Sequence, residues 1–173
     1  MVGNRSAIAY LLPMTSPIRP TDDEARALAR DLIAQARYGA LAVLDPETSL
    51  PLVSRVAAVP GPEGLPLMLV SDLSAHTVAL KANPACSLLI GEPGKKGDPL
   101  TYPRLGIQGT ARFTRHGEKG HATLASHYLT MQPKAKLYIG FADFSLLQLD
   151  IMGAHLNGGF GKAFVLTAQD LAG

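Results

Sequence analysis

The sequence predicts a mainly β domain with peripheral helices, six or seven antiparallel strands closed into a small barrel. Short apolar runs at Tyr38–Leu44, Leu50–Val59, Leu65–Val70, Ala85–Gly91, Leu105–Thr114, Phe144–Ile151 and Ala163–Leu166 are each bounded by Gly, Pro, Asn or Asp turns. The first three are joined by the short turns Asp45-Pro46-Glu47-Thr48-Ser49 and Gly61-Pro62-Glu63-Gly64, which makes them an antiparallel meander. Closing such a sheet into a barrel removes its exposed edges.

Before the first strand, Thr21-Asp22-Asp23-Glu24 reads as a capping box, with acidic residues where a helix start favours them. Ala25, Leu28, Ala29, Leu32, Ile33 and Ala36 then repeat at helical spacing, opposite Arg26, Arg30 and Asp31, so this is a scaffold helix running to Arg37. A second, short helix over Ser74–Ala82 is stopped by Asn83-Pro84. The loop Glu92–Pro99 is too rich in Gly and Pro to be regular, and a third helix is expected over Glu118–Met131, with a broken helical turn near Pro133–Ile139.

At 173 residues the chain reads as one domain over 21–173, with residues 1–20 as an amino-terminal arm. Ala7–Met14 follows Arg5 and is apolar, but Pro13 interrupts it and no small-x-small cleavage site follows. It is read as an arm lying across the domain or a partner subunit. No run approaches the roughly 18 apolar residues of a membrane span, so the expectation is a cytoplasmic protein with no membrane partner. Lys and Arg total 16 against 14 Asp and Glu, a net charge of +2, and the basic residues are scattered, which argues against nucleic acid. The lone Cys86, before Ser87-Leu88-Leu89-Ile90, reads as a buried small hydrophobe.

The chemistry concentrates in Ser71–Phe113. Ser71 and Asp72 stand where a strand ends and a helix is about to begin, a place where free backbone N–H groups collect. With the hydroxyls of Ser71, Ser74 and Thr77 and the imidazole of His76, they make a candidate seat for a phosphate or another anion.

Leu67-Met68-Leu69-Val70-Ser71, Asp72-Leu73-Ser74-Ala75-His76-Thr77, Leu80-Lys81, Asn83-Pro84, Ser87-Leu88-Leu89, Asp98-Pro99, Pro103-Arg104-Leu105 and Gln108-Gly109 together resemble the FMN-binding split-barrel superfamily of the pyridoxamine 5′-phosphate oxidases. The S-x-L-x-x-H-T spacing, the Gly-Asp-Pro loop and Asn157-Gly158-Gly159-Phe160-Gly161-Lys162-Ala163 are most similar to its haem-utilisation branch, the HugZ-like proteins. The resemblance implies a homodimer with the ligand in a groove between subunits. It implies FMN bound along a strand by Ser54, Arg55 and Val56, with Arg55 on a phosphate oxygen, and by Val70, Ser71, Ser74, His76, Thr77 and Arg104. Ala75 and His76 stand where the oxidases carry a basic pair, and the ending that grips pyridoxal phosphate is absent, so vitamin B6 oxidation is not expected.

The functional expectation is an FMN-dependent oxidoreductase of unassigned substrate, with the flavin carrying the chemistry and no catalytic side chain or metal named. The alternatives are a haem-binding or haem-degrading protein on the same fold, and a non-catalytic dimer holding a small-molecule ligand. For haem, His155 is the only axial candidate in the last segment. His116, His121 and His127 are spaced five and six residues apart, not as a helical metal pair, and are read as solvated or interface histidines.

Overall fold

The structure, a computed structural model, describes residues 18–172, so the arm expected over Ala7–Met14 lies outside the described residues. Nine strands form one sheet: β1 (Ile18–Arg19), β2 (Gly39–Leu44), β3 (Pro51–Val56), β4 (Ala58–Pro60), β5 (Pro66–Ser71), β6 (Ala85–Ile90), β7 (Arg104–Thr114), β8 (Phe144–Asn157) and β9 (Ala163–Leu166). The helices are α1 (Asp23–Ala34), α2 (Ala75–Ala82), α3 (His121–Met131) and α4 (Ala168–Leu171), with 3-10 turns at Pro99–Thr101 and Pro133–Leu137. The mainly β expectation is met. The count exceeds six or seven because the run Leu50–Val59 breaks at Ala57 into β3 and β4, and because the two-residue β1 carries no sequence signal of its own.

Pairing runs β2 with β3, β4 with β5, β5 with β8, β8 with β7, β7 with β6 and β6 with β2, all antiparallel. That circuit returns to its start only across the break at Ala57, so the barrel is split rather than closed. β9 adds antiparallel to the second half of β8, and β1 adds parallel to β9, which makes the sheet mixed.

Alternation along the strands builds the core. Leu41, Leu88, Ile107, Ala154 and Leu166 are register neighbours across five strands, and all are at most 1% exposed. Ala25, Ala29 and Ile33 of α1 and Ala79 and Leu80 of α2 pack into the same cluster. A smaller cluster on the other face of β5 and the first half of β8 joins Leu67 and Leu146 to Tyr128 of α3 and to Ala135 and Ile139.

One irregularity decides which way β8 faces. Gly109 pairs with Ile151 while Gln108 pairs with Gly153, so Met152 is an extra residue, a β-bulge, 80% exposed. Before the bulge the inward residues of β8 are odd-numbered, Leu147 and Leu149; after it they are even-numbered, Ala154 and Leu156. Without the extra residue His155 would fall opposite Leu105, on the core side; with it, His155 falls opposite Gly106, on the outside. Gly109 is what lets the strands approach here, because a Cβ on it would collide with the Asp150 carbonyl.

The helix ends differ from the sequence reading in one instructive way. Asp22, not Thr21, caps α1, accepting from the N–H of Ala25 at 2.8 Å, while the Thr21 hydroxyl donates to the Val165 carbonyl at 2.8 Å. The reciprocal capping box belongs instead to α4, between Thr167 and Asp170. The Thr167 backbone N–H, then the Arg26 guanidinium and the Thr167 hydroxyl, hold the Asp170 carboxyl down at about 2. Arg26 thereby ties α1 to the carboxyl end of the chain.

Gly109→Ala is expected to lower stability by about 1–3 kcal/mol through that backbone collision, whereas Gly153→Ala, whose added Cβ would rest 3.5 Å from the Leu166 carbonyl oxygen, is expected to change it far less. Urea unfolding of the two variants beside the wild type checks the difference.

Candidate functional site

The outward side of the same ladder is the feature that the sheet's register creates. Arg55, Ala40, Leu89, Gly106, His155 and Val165 are successive register partners across β3, β2, β6, β7, β8 and β9. Neighbouring strands stand about 4.8 Å apart, so this row spans on the order of 24 Å. A second row of Val53, Ala42, Ser87, Gln108 and Gly153 lies beside it. Small residues keep the middle flat, while Val53, Leu89, Met152 and Val165 leave between 45% and 80% of their surface in solvent. An exposed apolar sheet face of this kind is a candidate binding surface.

Two clefts of about 320 Å³ each open on this face and share Leu89. The first lies between Tyr38, Ser54, Arg55 and Glu92, with the Arg55 guanidinium 5.3 Å from the centre of the Tyr38 ring, within cation–π range. The second is lined by Arg104, Gly106, His155, Asn157, Ala163 and Val165 among others, and no carboxylate among the described residues lines it. The His155 side chain is exposed and makes no hydrogen bond among the described residues. The Arg104 guanidinium donates to the carbonyls of Leu100 at 3.0 Å and Tyr102 at 3.4 Å.

The residues singled out by sequence fall into three groups. Arg55 and Arg104 reach the outer face, one in each cleft. Ser54 is half-buried, register partner of the core residue Leu41, while Val56 and Val70 are core residues themselves. Ser71, Ser74, His76 and Thr77 sit together around the start of α2 and line neither cleft. There the Ser71 hydroxyl donates to the Asp143 carboxylate at 2.6 Å and accepts from the Leu73 N–H, and the Asp72 N–H donates to the Asp143 carbonyl. Lys81, one turn along α2 from His76, is paired with Asp72 at 2.7 Å. Thr77 is fully buried, its hydroxyl without a partner, and burial pushes the His76 imidazole below its ordinary value. Two carboxylates and a histidine biased towards neutrality fit a phosphate dianion poorly.

Two of the histidines around α3 also make long-range contacts within the fold. His116 Nε2 lies 3.0 Å from the Ile139 carbonyl and His127 Nε2 lies 2.9 Å from the Pro60 carbonyl, pinning α3 and its flanking turns to one another and to the sheet. The His116 and His121 rings are 4.2 Å apart, and burial, then the His116 charge, lowers the His121 value. Sequence spacing could not show this, because both carbonyl partners are distant in the chain.

A nine-stranded sheet rolled into an incompletely closed barrel, with an apolar outer face that carries two clefts, defines the class as a split barrel. The family profile described as CREG, beta-barrel matches residues 20–171, and the chain belongs to that family, within the pyridoxamine 5′-phosphate oxidase-like split barrels. Over 109 residues it is 37% identical to the chloroplastic protein of Arabidopsis thaliana named non-canonical heme oxygenase HOZ, a match covering 60% of this chain and 30% of that one. The solved structure of a heme binding protein from Mycobacterium smegmatis is 30% identical, with a TM-score of 0.76, and is matched over 89% of this chain and 61% of its own. The chain thus spans less than two thirds of either relative. A Clostridium acetobutylicum protein related to general stress protein 26, of the pyridoxinephosphate oxidase family, shares the fold at 14% identity and a TM-score of 0.66, over 87% of this chain and 99% of its own. No helix among the described residues is long and apolar enough to cross a membrane.

Because the folded-state value of His76 lies below the ordinary 6.5, its contribution favours folding above that pH and is lost as acidification protonates it. His76→Gln is expected to shallow the loss of stability below pH 6.5, read from urea midpoints across an acid series; an unchanged slope contradicts the burial argument.

Proposed function

We propose that this chain is a haem-binding protein that works as a homodimer, with haem on the outer face of the sheet. The observation that carries the reading is His155, an exposed imidazole with no hydrogen bond among the described residues, next to the β9 end of a flat, largely apolar row. Haem needs an axial donor, apolar surface for the macrocycle and cations for its propionates. His155 supplies the first, Leu89, Val165 and the glycine and alanine positions the second, and Arg104 with Arg55 the third. Bound there, haem supplies a redox-active iron; the chain's part is to orient the ring, pair its carboxylates and keep water from one face.

The names of the plant and mycobacterial relatives support the same ligand. The exposed apolar rows support a second copy of the chain as the cover for the face, since an uncovered surface of this extent favours association. FMN, with an oxidoreductase activity, is the competing ligand. The poor fit of the α2 start to a phosphate weighs against it, and Arg55 beside Tyr38 is what the geometry offers in its favour.

Titration of the purified protein with ferric hemin is expected to give a saturable Soret band. His155→Ala is expected to shift that band and weaken binding by roughly tenfold or more. A protein that purifies with flavin bands and gives no Soret band with hemin overturns the reading.

A further inference from the structure

Two largely exposed apolar side chains stand on turns whose backbones are tied to residues of the His155 cleft. Phe160 is 97% exposed at the tip of the β8–β9 turn, and Leu100 is 67% exposed on the Pro99–Thr101 turn. The two turns abut, because a Cβ on Gly159 would stand 3.0 Å from the Thr101 carbonyl oxygen. Both are wired to the cleft. Arg104, which lines it, holds the first turn through the Leu100 carbonyl, and Asn157, also in the lining, accepts from the Gly159 N–H at 3.0 Å.

Phe160 is flanked by Gly159 at φ 109° and Gly161 at φ 69°, positive values that suit glycine and allow the tip to be presented away from the barrel. A phenyl ring left almost wholly in water is unfavourable unless something covers it. The surroundings say what: among the described residues the cleft floor carries no carboxylate, Arg104 lies within it, and Arg19 and Lys162 lie beside the Gly161 turn. The one carboxylate on these turns, Asp98, is occupied in capping Leu100 N–H at 2.9 Å. An apolar edge next to unopposed cations matches a flat macrocycle bearing carboxylates.

We propose that Leu100 and Phe160 form an apolar jaw that packs on the edge of a tetrapyrrole held at His155, and so set how long it stays bound. The inference rests on the haem reading above and adds two residues and a role to it. Both side chains are solvent-exposed, so their truncation leaves the fold intact.

The test is transfer of ferric hemin from the loaded, full-length protein to excess apomyoglobin, followed in the visible spectrum. Phe160→Ala and Leu100→Ala are each expected to release hemin on the order of tenfold faster, with the Soret position unchanged because His155 is untouched. The chain contains no tryptophan, so Phe160→Trp introduces a single indole. Its emission is expected to be strongly quenched when hemin binds, with release close to the wild-type rate. A normal Soret band with wild-type release rates in both alanine variants overturns the jaw and leaves the haem reading standing. The absence of any Soret band in the wild type overturns both. Alanine variants that weaken self-association, measured by sedimentation, while releasing hemin at the wild-type rate would assign the two side chains to the subunit contact instead, and also overturn the jaw.

Discussion

The register of β7 against β8 is the constraint on which the site depends. A strand alternates faces with period two, so one inserted residue exchanges its buried and exposed sets. Met152 is that residue. It lets the first half of β8 bury Leu147 and Leu149 against the barrel while the second half buries Ala154 and Leu156. It thereby turns His155 out beside Gly106 and aligns Arg55, Ala40, Leu89 and Val165 with it across six strands. Gly109 is the partner position that lets the backbones meet there.

The same barrel presents two polar regions with different electrostatic character. At the start of α2, the Ser71 hydroxyl and the Asp72 N–H are engaged by Asp143, and Asp72 pairs with Lys81. On the outer face, the cleft around His155 carries Arg104 with no lining carboxylate among the described residues. An anionic ligand meets two carboxylates in the first place and, among the described residues, an arginine with no carboxylate beside it in the second. Family membership alone does not choose between them, because one fold hosts many ligands.

Most of the strands were legible because each is a short apolar run between turn residues, and α1 because its apolar positions keep helical spacing. The end of β8 was not: the sequence reading stops at Ile151, where the odd-numbered apolar alternation is interrupted by the bulge, yet the strand continues to Asn157. Thr21 was read as a helix cap because its spacing to Glu24 is right, but its hydroxyl is taken by the Val165 carbonyl, a partner 144 residues away. Arg55 and Arg104 were recognised as site candidates, and His155 was noted as the only histidine near the end of the chain. What sequence could not supply is that these residues share a face, since that follows from cross-strand register, which is set by the fold as a whole.

The most direct test of the outer-face site is an amide NMR spectrum of the 15N-labelled protein with and without ferric hemin. Paramagnetic iron broadens the signals of nearby amides. The account predicts selective loss of the resonances of Leu89, Gly106, His155 and Val165, with Ser71, Ser74, His76 and Thr77 retained. Loss confined to the start of α2, with the row from Ala40 to Val165 unaffected, would contradict it.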